Sequence, residues 1–140
     1  MRNVVRICLA VVLGIASAPA ASATPSTGVT AVTLFQRVVG DTEFVVQEAT
    51  MAPGGATGWH YHPGSVFVLV KAGTVTHYRA DCSMDGVYHE GEEFAEESGP
   101  GYVHIGRNLE AEPLVLEVLY VKSADSPLAV DAPNPGCPFE

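Results

Sequence analysis

Short apolar segments separated by turn residues follow one another along most of the chain. Residues 65–71 are almost continuously apolar, and residues 74–79 alternate in polarity, so that Val75 and His77 share one face of a strand. No segment has the pattern of a long amphipathic helix. The sequence therefore predicts an all-β protein, either a sandwich or a closed barrel.

The predicted strands are separated by glycine and proline turns. They cover residues 29–39, 42–50, 57–62, 65–71, 74–79, 87–94, 102–105 and 113–122. Residues 123–140 contain Pro127, Pro133, Pro135 and Pro138, which predict an extended tail without helix. We expect residues 24–140 to form one domain, with this proline-rich tail beginning at about residue 123.

Residues 1–23 have the pattern of a secretory signal peptide. Arg2 and Arg6 give a cationic start, residues 7–15 are apolar, and Ala21-Ser22-Ala23 fits the A-x-A cleavage pattern. An uncleaved anchor or a buried helix is the alternative, but the apolar run is shorter than the ~20 residues that span a bilayer. We therefore expect a Sec-type bacterial signal peptide and a secreted mature chain that keeps no stable membrane anchor.

Removal of a signal peptide changes two properties of the chain. The formal charge goes from −9 to −11 because Arg2 and Arg6 are lost, and an acidic domain repels phosphate backbones, so we expect no nucleic-acid partner. Cys82 and Cys137 remain, and an even pair in an oxidising compartment predicts a disulfide bond that would pin the tail to the barrel. The alternative, two thiolate metal ligands, lacks close CxxC spacing.

His60-Tyr61-His62 is the first candidate for chemistry. Residues i and i+2 of a strand point to the same face, so both imidazoles project together. Two imidazoles on one face can chelate a divalent metal ion, although exposed or hydrogen-bonded histidines also occur in this pattern.

Two longer patterns resemble the conserved boxes of the cupin family. The first box reads roughly G-x5-H-x-H-x3,4-E-x6-G, matched in register by Gly54, His60, His62 and Gly73. The second reads roughly G-x5-P-x-G-x2-H-x3-N, matched by Gly101, His104 and Asn108, with Gly91 as the opening glycine. The resemblance covers about residues 51–121 and implies a cupin double-stranded β-helix, or jelly-roll barrel.

The chain departs from both boxes. Val66 stands where the first box has glutamate, Gly99 stands where the second has proline, and the spacing from Gly91 is two residues longer. By resemblance, His60, His62 and His104 would converge as ligands of a divalent transition metal ion, namely Zn, Mn, Fe, Cu or Ni. Export favours Zn, Cu or Mn over Fe(II). Loss of the glutamate leaves a metal-free barrel as the alternative.

Further residues near the boxes are candidates for the pocket around these histidines. They are Val66, Phe67, Glu97, Tyr102 and Asn108. Glu97 would replace the missing carboxylate if it turns inward, whereas a solvated acidic edge formed by Glu93, Glu96 and Glu97 is the alternative. His77 and His89 match neither box, and we expect both at the surface or behind the metal ligands.

The resemblance leaves two functions open. One is a mononuclear metalloenzyme, such as an oxygenase or isomerase, acting on a small organic molecule. The other is a non-catalytic extracellular barrel that captures a small ligand, with or without metal. No general base is identifiable, so the sequence does not decide whether the protein is an enzyme. Cupins often pair through strands, which makes a homodimer a further expectation of the resemblance.

Overall fold

The computed structural model describes residues 23–140, so nearly all of the predicted signal peptide lies outside the described residues. Strands and no helices form within this range. They are β1 (Thr27–Val39), β2 (Thr42–Ala56), β3 (His60–Tyr61), β4 (Ser65–Ala72), β5 (Thr74–Arg79), β6 (Met84–His89), β7 (Glu93–Glu96), β8 (His104–Arg107), β9 (Leu114–Ser123) and β10 (Val130–Asp131). A search of the described residues finds no helix that could span a membrane.

The strands form a nearly closed antiparallel barrel. Hydrogen-bonded neighbours follow the order β10-β3-β8-β2-β9-β4-β7, while β5 pairs with both β6 and β8. β2 joins the two halves, because it pairs along its length with β9 and at Ala56 with Arg107 of β8. The predicted all-β fold class is confirmed.

Alternation along the strands fills the barrel. On β4, Val66, Val68 and Val70 are buried, whereas Phe67 and Leu69 between them are exposed. Together with Met51, Val75, Leu114, Leu116 and Val118, the three valines form the main apolar core. Phe67 was expected in the pocket, and that prediction is wrong because its position on β4 turns its ring to the outside, where it is 49% exposed.

β1 differs from the other long strands because it is exposed on both faces. It pairs with β2 and, among the described residues, with no other strand. Large apolar side chains stand in solvent along it, namely Val32, Leu34, Phe35, Val38 and Val39. Strand pairing with a second copy, the homodimer expected from the resemblance, stays a prediction.

The C-terminal tail packs against the barrel. Cys82 and Cys137 form the predicted disulfide bond. Upstream of Cys137, β10 pairs with β3, and Ala132 donates its amide proton to the carbonyl of Trp59 at 2.8 Å. The tail that the sequence predicts as extended therefore lies beside the short strand that carries His60.

Candidate metal centre

Three histidines converge inside the barrel. His60 on β3 lies directly opposite His104 on β8 in the antiparallel pairing, and His62 follows His60 at the two-residue spacing. Their exposed fractions are 8%, 0% and 4% for His60, His104 and His62. One ring nitrogen of each lies within 4.8 Å of those of the other two, which is close enough for all three to bind one metal ion.

Backbone carbonyls fix the orientation of all three rings. The Nδ1 atoms of His60, His62 and His104 lie 2.9, 2.7 and 2.9 Å from the carbonyl oxygens of Gly58, Leu128 and Tyr102. Because a carbonyl oxygen can only accept, each Nδ1–H donates, and in a neutral ring Nε2 is then unprotonated. The three Nε2 atoms therefore face the barrel interior, and each offers a lone pair to a metal ion when its ring is neutral.

Gly58 shows how closely one of these carbonyls is held. Its φ of +74° lies in the left-handed region, and a Cβ built on it would stand 2.3 Å from the Thr24 carbonyl oxygen. Glycine meets both requirements, since it adopts positive φ without a side-chain clash. The tight turn places the Gly58 carbonyl against Nδ1 of His60.

Two of the inward nitrogen atoms lie close together. Nε2 of His60 and Nε2 of His62 are 3.0 Å apart, and two lone pairs at this distance repel unless a cation lies between them. Burial and the neighbouring His104 and His62 rings lower the pKa of His60 to about 3, so that this ring is neutral at physiological pH. Nε2 of His104 is buried without a hydrogen-bond partner among the described residues. This donor set fits a metal ion.

A carboxylate faces the same nitrogens, and it belongs to Glu96 on β7. Its Oε2 lies 3.0 Å from Nε2 of His62, and its Oε1 lies 3.6 Å from Nε2 of His104. Glu97 is exposed one position later, so its predicted place in the pocket is wrong.

Glu96 stands beside the position that lost its glutamate. Val66 on β4 and Glu96 on β7 are direct partners in the antiparallel pairing. The carboxylate that the first cupin box would place on β4 therefore comes from the neighbouring strand. The sequence held a signal for it, because the apolar Phe94 shares a face with Glu96 at two-residue spacing, whereas Glu97 falls on the other face.

His77 on β5 also points into this cluster. It is only 1% exposed, and its Nε2 lies 3.3 Å from Oε1 of Glu96. Its Nδ1 donates to Oδ2 of Asp85 at 3.1 Å. Of the two places expected for this histidine, the surface is therefore excluded. His89 is exposed, with Nδ1 3.2 Å from the Thr74 hydroxyl.

The other residues predicted for the pocket do not line the chamber beside the histidines. Val66 belongs to the apolar core. Tyr102 lies behind His104, with ring centroids 5.0 Å apart, and donates its hydroxyl proton to Asp85. The Asn108 side chain is buried and donates to backbone carbonyls of Met51 on β2 and of Glu112 in the loop before β9. Its predicted place in the pocket is wrong because it joins these two segments instead.

The apolar chamber is a cavity of about 190 Å³ inside the barrel, and its wall includes His60, His62, His77 and Glu96. Apolar side chains make up most of the remaining wall, among them Met51, Val68, Phe94, Leu116 and Val118. No lysine or arginine is among the described residues that line it. Tyr120 lies on its wall, 5.6 Å from the His62 ring, and burial raises the pKa of its hydroxyl to about 12. The hydroxyl therefore keeps its proton at neutral pH.

Comparison with known protein families identifies the barrel. Residues 47–121 match the family model described as Cupin domain, which covers more than half of the chain. The chain belongs to the cupin family. This assignment confirms the resemblance that the two boxes indicate, and with it the jelly-roll barrel. A search among curated proteins finds no match to this cupin.

Solved structures share the fold of this cupin at low sequence identity. An uncharacterised conserved protein with a double-stranded β-helix domain from Klebsiella pneumoniae is 21% identical, with a TM-score of 0.57, and the match covers 79% of this chain and 90% of that one. The polyketide cyclase RemF from Streptomyces resistomycificus is 18% identical, with a TM-score of 0.58 and coverage of 83% and 88%. A Cupin 2 conserved barrel domain protein from Salinispora arenicola is 18% identical, with a TM-score of 0.57 and coverage of 81% and 91%. At these identities the likeness shows the fold alone.

Proposed function

We propose that this cupin is an exported protein in which His60, His62 and His104 hold one divalent transition metal ion beside the apolar chamber. The observation that carries the proposal is the 3.0 Å approach of two Nε2 atoms whose rings both donate through Nδ1 to a carbonyl. A metal ion held by both Nε2 atoms would replace this repulsion by ligation. Histidines that bind metal ions commonly donate their other ring N–H in this way.

Nitrogen donors with one carboxylate suit Zn, Mn, Fe, Cu or Ni better than Mg or Ca. Glu96 is the fourth candidate donor, since its carboxylate oxygens lie 3.0 Å from Nε2 of His62 and 3.6 Å from Nε2 of His104. A bound metal ion supplies Lewis-acid polarisation of a ligand oxygen. The carbonyls of Gly58, Leu128 and Tyr102 keep the rings in place.

The chamber also indicates the ligand class. Apolar walls favour a small, largely apolar organic molecule, and its size excludes bulky ligands. Because no lysine or arginine lines the chamber within the described residues, we expect an uncharged ligand rather than a carboxylate or phosphate. The Tyr120 hydroxyl is the donor that would bind an oxygen of this ligand. We therefore propose metal-dependent binding of a small neutral molecule carrying one hydroxyl or carbonyl group.

Elemental mass spectrometry tests the metal proposal. The full chain is produced with export to an oxidising compartment, beside the variant His60→Ala/His62→Ala/His104→Ala and the control His89→Ala, which removes an exposed histidine. We expect near-stoichiometric metal in the wild type and the control, and none in the triple variant. Folded wild-type protein that contains no metal and takes up none on titration would leave a metal-free ligand-binding barrel as the function.

Packing at Thr24 supports the proposal that the chain is exported and cleaved after Ala23. The Thr24 amide donates to the carbonyl of Ala132 at 3.0 Å, and the Trp59 amide donates to the Thr24 hydroxyl at 2.6 Å. Cleavage after Ala23 leaves these contacts intact. We expect the intact mass of periplasmic protein to correspond to residues 24–140. Uncleaved protein found in the membrane fraction would contradict this proposal.

A further inference from the structure

His77 is the buried histidine that the two cupin boxes do not explain. It lies on β5, a strand that carries none of the residues of either box. Its Nε2 is buried and, within the described part of the chain, has no hydrogen-bond partner. An unsatisfied polar atom in a protein interior costs about 1–3 kcal/mol, so a function for this nitrogen is expected.

The position of this nitrogen is that of a ligand. One ring nitrogen of His77, one of His104 and a carboxylate oxygen of Glu96 all lie within 4.8 Å of one another, and Nε2 of the two rings lies 3.3 and 3.6 Å from Oε1 of Glu96. The rings of His77 and His104 are 4.7 Å apart between centroids. His77 therefore shares two neighbours, His104 and Glu96, with the site of the other histidines.

Asp85 fixes the His77 ring as the backbone carbonyls fix the other three. Burial raises the pKa of Asp85, but hydrogen bonds from the Tyr102 hydroxyl and Arg79 outweigh it and lower the pKa, so the carboxylate accepts from Nδ1 of His77. Arg79 Nε donates to its other oxygen at 2.6 Å. A carboxylate that accepts the outer N–H of an imidazole is the usual partner of a metal-bound histidine.

We propose that His77 is a fourth imidazole ligand of the same metal ion and that Asp85 is its positioning residue. The inference rests on the metal site proposed above and changes what that site can do. Four imidazoles and Glu96 would leave a six-coordinate ion one position for an exogenous ligand. The neutral molecule in the chamber would then bind the metal ion through a single atom rather than as a chelate.

Cobalt(II) added to metal-free protein provides the test, because each coordinated imidazole that keeps its Nδ1–H gives a strongly shifted, exchangeable proton signal in paramagnetic NMR. We expect four such signals in the wild type and in His89→Ala, and three in His77→Ala. His77→Gln, which keeps more of the side-chain volume, serves as the second variant if His77→Ala does not fold. Loss of one ligand should also weaken Co(II) binding at least tenfold.

Asp85→Asn separates positioning from ligation. This variant should keep four shifted signals, move that of His77, and weaken Co(II) binding by about 10- to 100-fold. Three signals in the wild type, with the spectrum and the affinity unchanged in His77→Ala, would overturn the role of His77 and leave the three-histidine site intact. A wild type that binds no Co(II) and no other transition metal would instead contradict the proposed function itself.

Discussion

His104 and Asn108 are four residues apart, and both are completely buried, yet they meet opposite conditions in the barrel. The Asn108 amide donates to the carbonyls of Met51, Ala52 and Glu112, and its oxygen accepts from the amide of Glu110. The His104 ring satisfies Nδ1 and leaves Nε2 unpartnered among the described residues. Buried polar groups are nearly always satisfied, so the first arrangement is complete and the second needs a ligand.

The largest expected effect is the loss of stability of the metal-free protein in acid, which arises from the buried histidines and not from Asn108. The pKa of His60 is about 3 in the folded chain and 6.5 when unfolded, so between these pH values the unfolded chain binds more protons. Stability should therefore fall as the pH drops from 6.5 towards 3, by up to about 5 kcal/mol.

Urea unfolding of EDTA-treated protein between pH 7 and pH 4 measures this effect. The variant His60→Gln should show a flatter dependence on pH, whereas Asn108→Ala should keep the wild-type slope because an amide does not titrate. Equal slopes in wild type and His60→Gln would show that burial of His60 does not govern acid stability.

Loss of the disulfide bond should destabilise the folded chain and loosen the part of the tail that holds the His62 ring. The bond joins residues 55 apart in sequence, and closing such a loop stabilises the folded chain by ~4 kcal/mol. Cys82→Ser/Cys137→Ser should lower stability by about this amount. It should also weaken metal binding, because the tail supplies the Leu128 carbonyl to His62. Thermal unfolding and Co(II) titration measure the two effects, and unchanged metal affinity would show that the tail holds its place without the bond.

Asn108→Ala should damage stability alone. It removes the donor to three carbonyls and the acceptor of one amide, for an expected loss of about 3 kcal/mol. Metal content per folded chain should stay that of the wild type, measured by elemental mass spectrometry on the monodisperse fraction. Loss of metal together with stability would show that Asn108 is also needed to keep the histidines in place.

Tyr120→Phe should have the smallest effect. Tyr120 lines the chamber, and one hydrogen bond from its hydroxyl to a ligand would contribute about 0.5–1.5 kcal/mol. Binding of the neutral probe 4-methylphenol to metal-loaded protein should weaken about three- to tenfold by calorimetry, with the melting temperature unchanged. Tyr61→Phe, outside the chamber wall, should bind like the wild type. Equal affinity for all three proteins would remove Tyr120 from the ligand site.

Local spacing predicted the part of the fold and site that depends on strand alternation. The two-residue spacing of His60 and His62 predicted that both rings share one face, and the resemblance to the two cupin boxes implied the barrel and the convergence of His104 with them. The same rule could have found His77, because it shares a face with Val75, which is buried. The rule also favours Glu96 over Glu97, because Glu96 lies on the same face of β7 as the apolar Phe94.

The features of the site that the sequence did not predict depend on pairing between distant strands. The site carboxylate comes from Glu96 on β7 instead of from position 66 on β4, and this depends on Val66 and Glu96 being direct partners. Spacing along the sequence does not give the register between strands. Likewise, the bonds of Asn108 to Met51 on β2 and to Glu112 depend on how β2 and the loop before β9 come together. The role of the tail depends on where residue 128 comes to lie, beside His62.

Nitrogen-15 NMR of the histidine rings tests the central claim most directly, because it reports which ring nitrogen carries the proton. In metal-free protein at pH 7.5 we expect His60, His62 and His104 as Nδ1–H tautomers, with unprotonated Nε2 atoms whose signals shift when one equivalent of Zn(II) is added. His89, exposed on the outside, should not respond. Nε2–H tautomers at these positions, with no change on addition of Zn(II), would contradict the account.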